Sequence, residues 1–141
     1  MYTYEYPHPA VTADAVVFGF DGKSLNLLLI NRGIEPYKGS WALPGGFINI
    51  NETAEDGALR ELKEETGVED IYLEQFHTFT AVDRDPRERV MTIAFLAFIR
   101  QDDYSVVAGD DAAKAQWYPV NQLPELAFDH EEIIKMALDE R

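Results

Sequence analysis

The chain has 141 residues, no cysteine, and 26 Asp and Glu against 12 Lys and Arg, for a formal net charge of −14. Such an excess repels a phosphate backbone at long range and weighs against nucleic acid as a partner. Without cysteine there is no disulfide framework or thiolate metal site, which fits a reducing compartment. A hydrophobic share of 46% with 12% aromatic residues is enough for a packed core, and the length fits one domain over residues 1–141. Neither a leader peptide nor an apolar run of about 18 residues is evident, so the expectation is a cytoplasmic protein without membrane contact.

In chain order, Ala13 to Phe20 and Leu25 to Asn31 read as strands, joined through Asp21-Gly22-Lys23-Ser24, a hairpin signal. A shorter strand is predicted over Trp41 to Phe47. A helix follows over Ala54 to Glu65, opened by Thr53 with Asp56 three positions on and closed by Gly67. Strands are then predicted over Ile71 to Val82, Val90 to Ile99 and Trp117 to Val120. A last helix begins at His130, capped by Asp129, with Ile133, Ile134, Ala137 and Leu138 at helical spacing. Strands mixed with few helices predict an α/β domain, a sheet covered by helices.

The chemistry concentrates between Gly45 and Val68. From Glu61, the helical period puts Glu65 at about +40° and Glu64 at about −60°, so three carboxylates crowd one face while Leu59 and Leu62 form a separate apolar stripe. Like charges so close destabilise a helix. A solvated acidic face is the usual fate of such a run; a hard divalent cation such as Mg²⁺ is the alternative that neutralises it. Immediately before lies Leu43-Pro44-Gly45-Gly46-Phe47, where paired glycines let backbone approach a ligand closely.

Gly46, Glu52, Arg60-Glu61-Leu62, Glu64-Glu65 and Gly67-Val68 fill every defined position, at the right spacing, of the motif that marks the Nudix hydrolases. The chain thus resembles that family. The resemblance implies an α/β/α sandwich with a mixed β-sheet and metal-dependent cleavage of a phosphoanhydride bond in a nucleoside diphosphate linked to another group. It implies Mg²⁺, with Mn²⁺ as a substitute. Carried over by position, Glu61 and Glu65 are metal ligands, Glu64 is a ligand or the base, the Gly45 carbonyl is a further ligand, and Arg60 with Glu52 is a supporting pair. Such a site attracts an anionic substrate only as its metal complex.

Downstream, Phe79 to Arg89 gathers Arg84, Arg87 and Arg89, suited to phosphate unless Asp83, Asp85 and Glu88 neutralise them. This segment, with Pro86, resembles the ADP-ribose pyrophosphatase branch, implying cleavage of ADP-ribose to AMP and ribose 5-phosphate. Arg32, Phe47, Arg84 and Arg87 are the candidate substrate contacts, and Asp110 or Asp111 is a further carboxylate or a turn residue. His130 reads as the first residue of the last helix, with a catalytic base as the alternative. Tyr2, Tyr4 and Tyr6 alternate and are expected to pack on the protein's own core. Two other readings share the motif: an ADP-ribose sensor, as in regulators that carry a winged helix, and a nucleoside triphosphate pyrophosphohydrolase. Residues 69–141 are expected to complete the sheet and last helix, leaving no second domain. A homodimer is expected from the family and from the commonness of twofold assemblies.

Overall fold

A computed structural model describes residues 2–109 and 112–140. Strand β1, Ala10–Phe20, turns into β2, Leu25–Arg32. Asp21 holds the turn by accepting from the N–H groups of Lys23 and Ser24, both at 2.8 Å, and Gly22 takes a φ of 97° that a side chain would resist. The strands pair over Phe18–Phe20 and Leu25–Leu27 and then diverge.

Two short strands fill the opening: β3, Trp41–Ala42, on β2, and β4, Gly45–Phe47, on β1. The single strand predicted over Trp41 to Phe47 is therefore broken at Leu43 and Pro44. The chain crosses there from one diverging strand to the other, and proline lacks the N–H that a continuous ladder would use. Its carbonyl accepts instead from Ala15 N–H at 2.9 Å.

Helix α1, Ala54–Thr66, follows the prediction closely: Thr53 accepts from the Asp56 N–H, and Gly67, with φ 77°, donates to the Lys63 carbonyl. Three more strands, β5 (Glu74–Phe79), β6 (Val90–Arg100) and β7 (Ala112–Pro119), complete a sheet ordered β3-β2-β1-β6-β5, with β4 on β1 and β7 on β2. β6 runs parallel to β1 along its whole length; the other pairings are antiparallel, so the sheet is mixed. The predicted strand Ile71 to Val82 shortens at both ends. Ile71 and Leu73 are buried before the strand starts, and 80–82 turn into the arginine loop.

Period-two alternation along β1 supplies both cores. Ala13, Ala15 and Val17 pack with Ala58 and Leu62 of α1, whereas Val16 and Phe18 pack with Ile133, Ile134 and Ala137 of α2, His130–Glu140. The result is the expected α/β/α sandwich. Asp129 departs from its predicted role as a side-chain cap: its backbone carbonyl accepts from Glu132 and Ile133, and its two carboxylate oxygens accept from Arg84. Tyr2, Tyr4 and Tyr6 also depart from expectation, lying exposed, with Tyr4 against His8 rather than on the core. Among the described residues no helix is long and apolar enough to cross a membrane.

Leu62 is fully buried where α1 meets the sheet. Leu62→Ala is expected to lower unfolding stability by about 2–5 kcal/mol, read as a reduced urea midpoint at unchanged slope.

Candidate active site

Where β1 and β2 diverge, the sheet opens into a cavity of about 310 Å³. The Gly45-Gly46 pair that opens β4 forms one edge, and neither glycine has a positive φ. What they provide is room: a β-carbon at Gly45 would overlap the Asp14 carboxylate and the Ala13 carbonyl. One at Gly46 would stand 2.7–2.9 Å from the Glu61 carboxylate. Both values lie inside normal contact, so two carboxylates from opposite sides of the sheet reach the cavity because this pair has no side chains.

On the α1 side, Glu61 and Glu65 line the cavity. Glu65 is buried and accepts the Gly45 N–H at 2.8 Å. Burial lifts its carboxyl from 4.5 to about 8; the Gly45 hydrogen bond opposes the rise, and the negative charges of Glu61 and Asp14 add to it. Arg60 organises the rest of the acidic face. It holds Glu52 through Nη2 to Oε1 at 2.7 Å and Nε to Oε2 at 3.1 Å, and donates to the Phe47 carbonyl. Its Nη1 donates to Glu61 at 2.7 Å and to Glu64 at 3.2 Å. The Glu64 side chain is 41% exposed and, unlike Glu61 and Glu65, is not part of the cavity lining.

As placed, no group of three His, Asp or Glu side chains among the described residues is arranged to hold a metal ion. Arg60 engages Glu61 and Glu64. The donor set nonetheless fits a hard divalent cation: all its side chains are carboxylates, and Glu65 is buried beside the negative charges of Glu61 and Asp14, which a cation would offset.

The opposite wall is cationic. Arg32 donates through Nε to the Pro36 carbonyl at 2.6 Å and lies over the Phe128 ring. Burial, then repulsion from Arg87, pulls its pKa down. Arg87 is held by Asp85 at 2.7 and 3.0 Å, with its guanidinium against the rings of Phe47 and Phe128. The expected pairing of loop arginines with Asp85 is thus correct for Arg87 alone. Arg84 is buried in a two-pronged ion pair with Asp129, and Arg89 donates to the Thr80 and Ala81 carbonyls. Arg32, Phe47, Arg84 and Arg87 are brought together on the cavity wall, while Asp110 and Asp111 lie outside the described residues.

The sequence alone does not single out Asp14, Thr12 and Thr92, which also line the cavity with Phe128. A usable signal existed for Asp14, an ionisable residue inside the apolar run Ala13-Asp14-Ala15-Val16-Val17. His130 starts α2 as expected and also faces the cavity. Its Nδ1 accepts from the Leu43 N–H at 3.0 Å, so the ring proton belongs on Nε2, 3.4 Å from Asp14 Oδ2.

Because the folded chain holds the Glu65 proton more tightly than the unfolded chain, its stabilising contribution is full below about pH 4.5 and is lost as pH rises through about 8. In EDTA, Glu65→Gln should therefore gain Tm relative to the unmutated protein as pH is raised across that window. Parallel Tm curves for the two proteins would contradict this account of Glu65.

The model of the NUDIX domain matches residues 8–137. An ADP-ribose pyrophosphatase of Methanocaldococcus jannaschii is 43% identical over 130 residues, covering 92% of this chain and 73% of that protein. The ADPR responsive transcriptional repressor NtrR of Acinetobacter baylyi is 34% identical over 137 residues; the match covers 94% of this chain, which spans only 54% of the repressor. The NUDIX domain of Shewanella oneidensis NrtR, solved with ADP ribose, superposes with a TM-score of 0.87 at 33% identity, over 96% of this chain and 90% of that one. With a family match over nearly its whole length and the same fold in a solved relative, the chain belongs to the NUDIX family.

Proposed function

We propose that the protein hydrolyses the diphosphate of ADP-ribose to AMP and ribose 5-phosphate in a Mg²⁺-dependent reaction, with Mn²⁺ as a substitute. The observation that carries this reading is the two-sided cavity: carboxylates Glu61 and Glu65 on one wall face Arg32 and Arg87 on the other. Neither wall alone suits a diphosphate. The acidic wall repels it, and the arginines bind it without activating water. A diphosphate with its divalent cation matches both.

In this proposal Glu61, Glu65 and the Gly45 carbonyl would hold the cation, with Glu64 either a further ligand or the base, and the bound cation would supply positive charge to the phosphate oxygens and lower the pKa of a water molecule. Arg60 ties Glu64 to the cavity-lining Glu61 and, with Glu52, braces the helix against the Phe47 carbonyl. Glu64, the most exposed of the three, is available to take the proton of the attacking water. Arg32 and Arg87 bind the diphosphate, which relieves their mutual repulsion. Phe47 offers its ring beside them, and Arg84 stiffens the wall through Asp129. A homodimer in the cytoplasm completes the reading, supported by the prevalence of twofold assemblies.

The similarity to an ADPR responsive repressor supports a second reading, a module that binds ADP-ribose without cleaving it. The complete carboxylate set favours hydrolysis. Assays with Mg²⁺ or Mn²⁺ should compare ADP-ribose, NADH, diadenosine polyphosphates, sugar nucleotides and nucleoside triphosphates. ADP-ribose is expected to give the highest kcat/KM; preference for a triphosphate overturns the substrate assignment, and tight ADP-ribose binding without turnover selects the sensor. Glu64→Gln and Glu65→Gln are each expected to lower kcat at least about 100-fold at saturating Mg²⁺. Near-unchanged turnover in either variant removes that residue from the catalytic set.

A further inference from the structure

Asp14 is an acid that the proposed hydrolysis does not use. It sits in the middle of β1 with its side chain 7% exposed, and it lines the cavity. Its strand neighbours fix its direction: Ala13 and Ala15 point to the α1 core and Val16 to the α2 core, so Asp14 leaves the strand on the α2 side, within electrostatic reach of Glu65 but on the other face of the sheet from the α1 core. Register places it opposite Gly45, the residue whose missing side chain makes space for the carboxylate.

His130 is its neighbour. The Leu43 N–H donates to His130 Nδ1, which leaves Nε2–H facing Asp14 Oδ2. Beside it, Thr12 and Thr92 share a buried hydrogen bond of 2.6 Å between their hydroxyls and also line the cavity. This corner is therefore rich in acceptors and hydroxyls, with His130 the partner nearest Asp14 and the Arg32 guanidinium within electrostatic reach. An anionic phosphate is repelled by it. A neutral group that donates O–H bonds is not.

We infer that Asp14, beside His130 and the Thr12–Thr92 hydroxyl pair, accepts hydrogen bonds from sugar hydroxyls attached to the diphosphate and so selects for a hydroxylated substituent. The inference rests on the proposed nucleoside diphosphate substrate and adds a specificity residue outside the motif that marks the family. A buried carboxylate that loses its donor is costly, so the site discriminates against ligands lacking the hydroxyls.

The test is calorimetry in Mg²⁺ on Glu64→Gln protein, in which turnover is suppressed, with and without Asp14→Asn. Three ligands separate the two sugars: ADP-ribose, its analogue lacking the adenosine 2′ and 3′ hydroxyls, and the ethyl ester of ADP, which lacks the terminal sugar. Asp14→Asn should weaken ADP-ribose at least about 10-fold and one analogue by less than about 2-fold, the spared analogue being the one without the sugar that Asp14 contacts. An equal effect on all three, or no effect on any, overturns the inference. Mn²⁺ binding without nucleotide, followed by electron paramagnetic resonance, should be unchanged by Asp14→Asn; its loss would make Asp14 a cation ligand and overturn the assignment. Should Asp14→Asn fail to fold by circular dichroism, Asp14→Ser carries the same expectations. If ADP-ribose does not bind even with Asp14 intact, the proposed substrate falls and this inference falls with it.

Discussion

Absence of side chains at Gly45 and Gly46 is the constraint on which the site depends. One position is filled by the Asp14 carboxylate and the other by that of Glu61, so the pair is pressed between β1 and α1 with acids on both sides. The same pair gives the Gly45 N–H to Glu65. Any side chain here would push apart the elements that build the cavity. The divergence of β1 and β2 makes the space, and Leu43 and Pro44 carry the chain across it.

Electrostatics then decide what such a space suits. Acidic residues concentrated on α1 would repel one another, and Arg60 offsets this by bonding Glu52, Glu61 and Glu64 together. Burial keeps Glu65 reluctant to ionise, a state that a divalent cation would reverse. Across the cavity, Arg32 and Arg87 are crowded together and oriented by Pro36, Asp85 and two aromatic rings. Opposed walls of unlike charge, each under internal repulsion, are suited to a ligand that carries both signs. The overall charge of −14 says nothing of this, because it is the arrangement and not the sum that binds.

Local signals and long-range contacts account for different parts of the molecule. Asp21-Gly22, the Thr53 cap and the Gly67 stop act within a few residues, and the ends they set, Phe20, Leu25 and Ala54 as predicted and Thr66 within one residue, agree with the structure, whereas β1 begins three residues before its predicted start at Ala13, where no such signal stands. Trp41 to Phe47 and Ile71 to Val82 were overextended because apolar composition marks burial as well as pairing. Arg84 and Asp129 lie 45 positions apart, and nothing local to either announces their bond. The same is true of His130 and Leu43, 87 positions apart.

The sequence by itself determined the spacing of Gly46, Glu52, Arg60, Glu61, Glu64, Glu65 and Gly67, and with it the family and the acidic face, because helical period and glycine chemistry are local properties. Only the tertiary structure decided which groups share the cavity with that face. It separated the arginines of one loop into a buried ion pair at Arg84, a cavity-facing group at Arg87 and a carbonyl-bound one at Arg89. It also brought Asp14 and His130 together from opposite ends of the chain. Such choices depend on strand register and on which face of the sheet a residue occupies, and both are set by packing between segments distant in sequence.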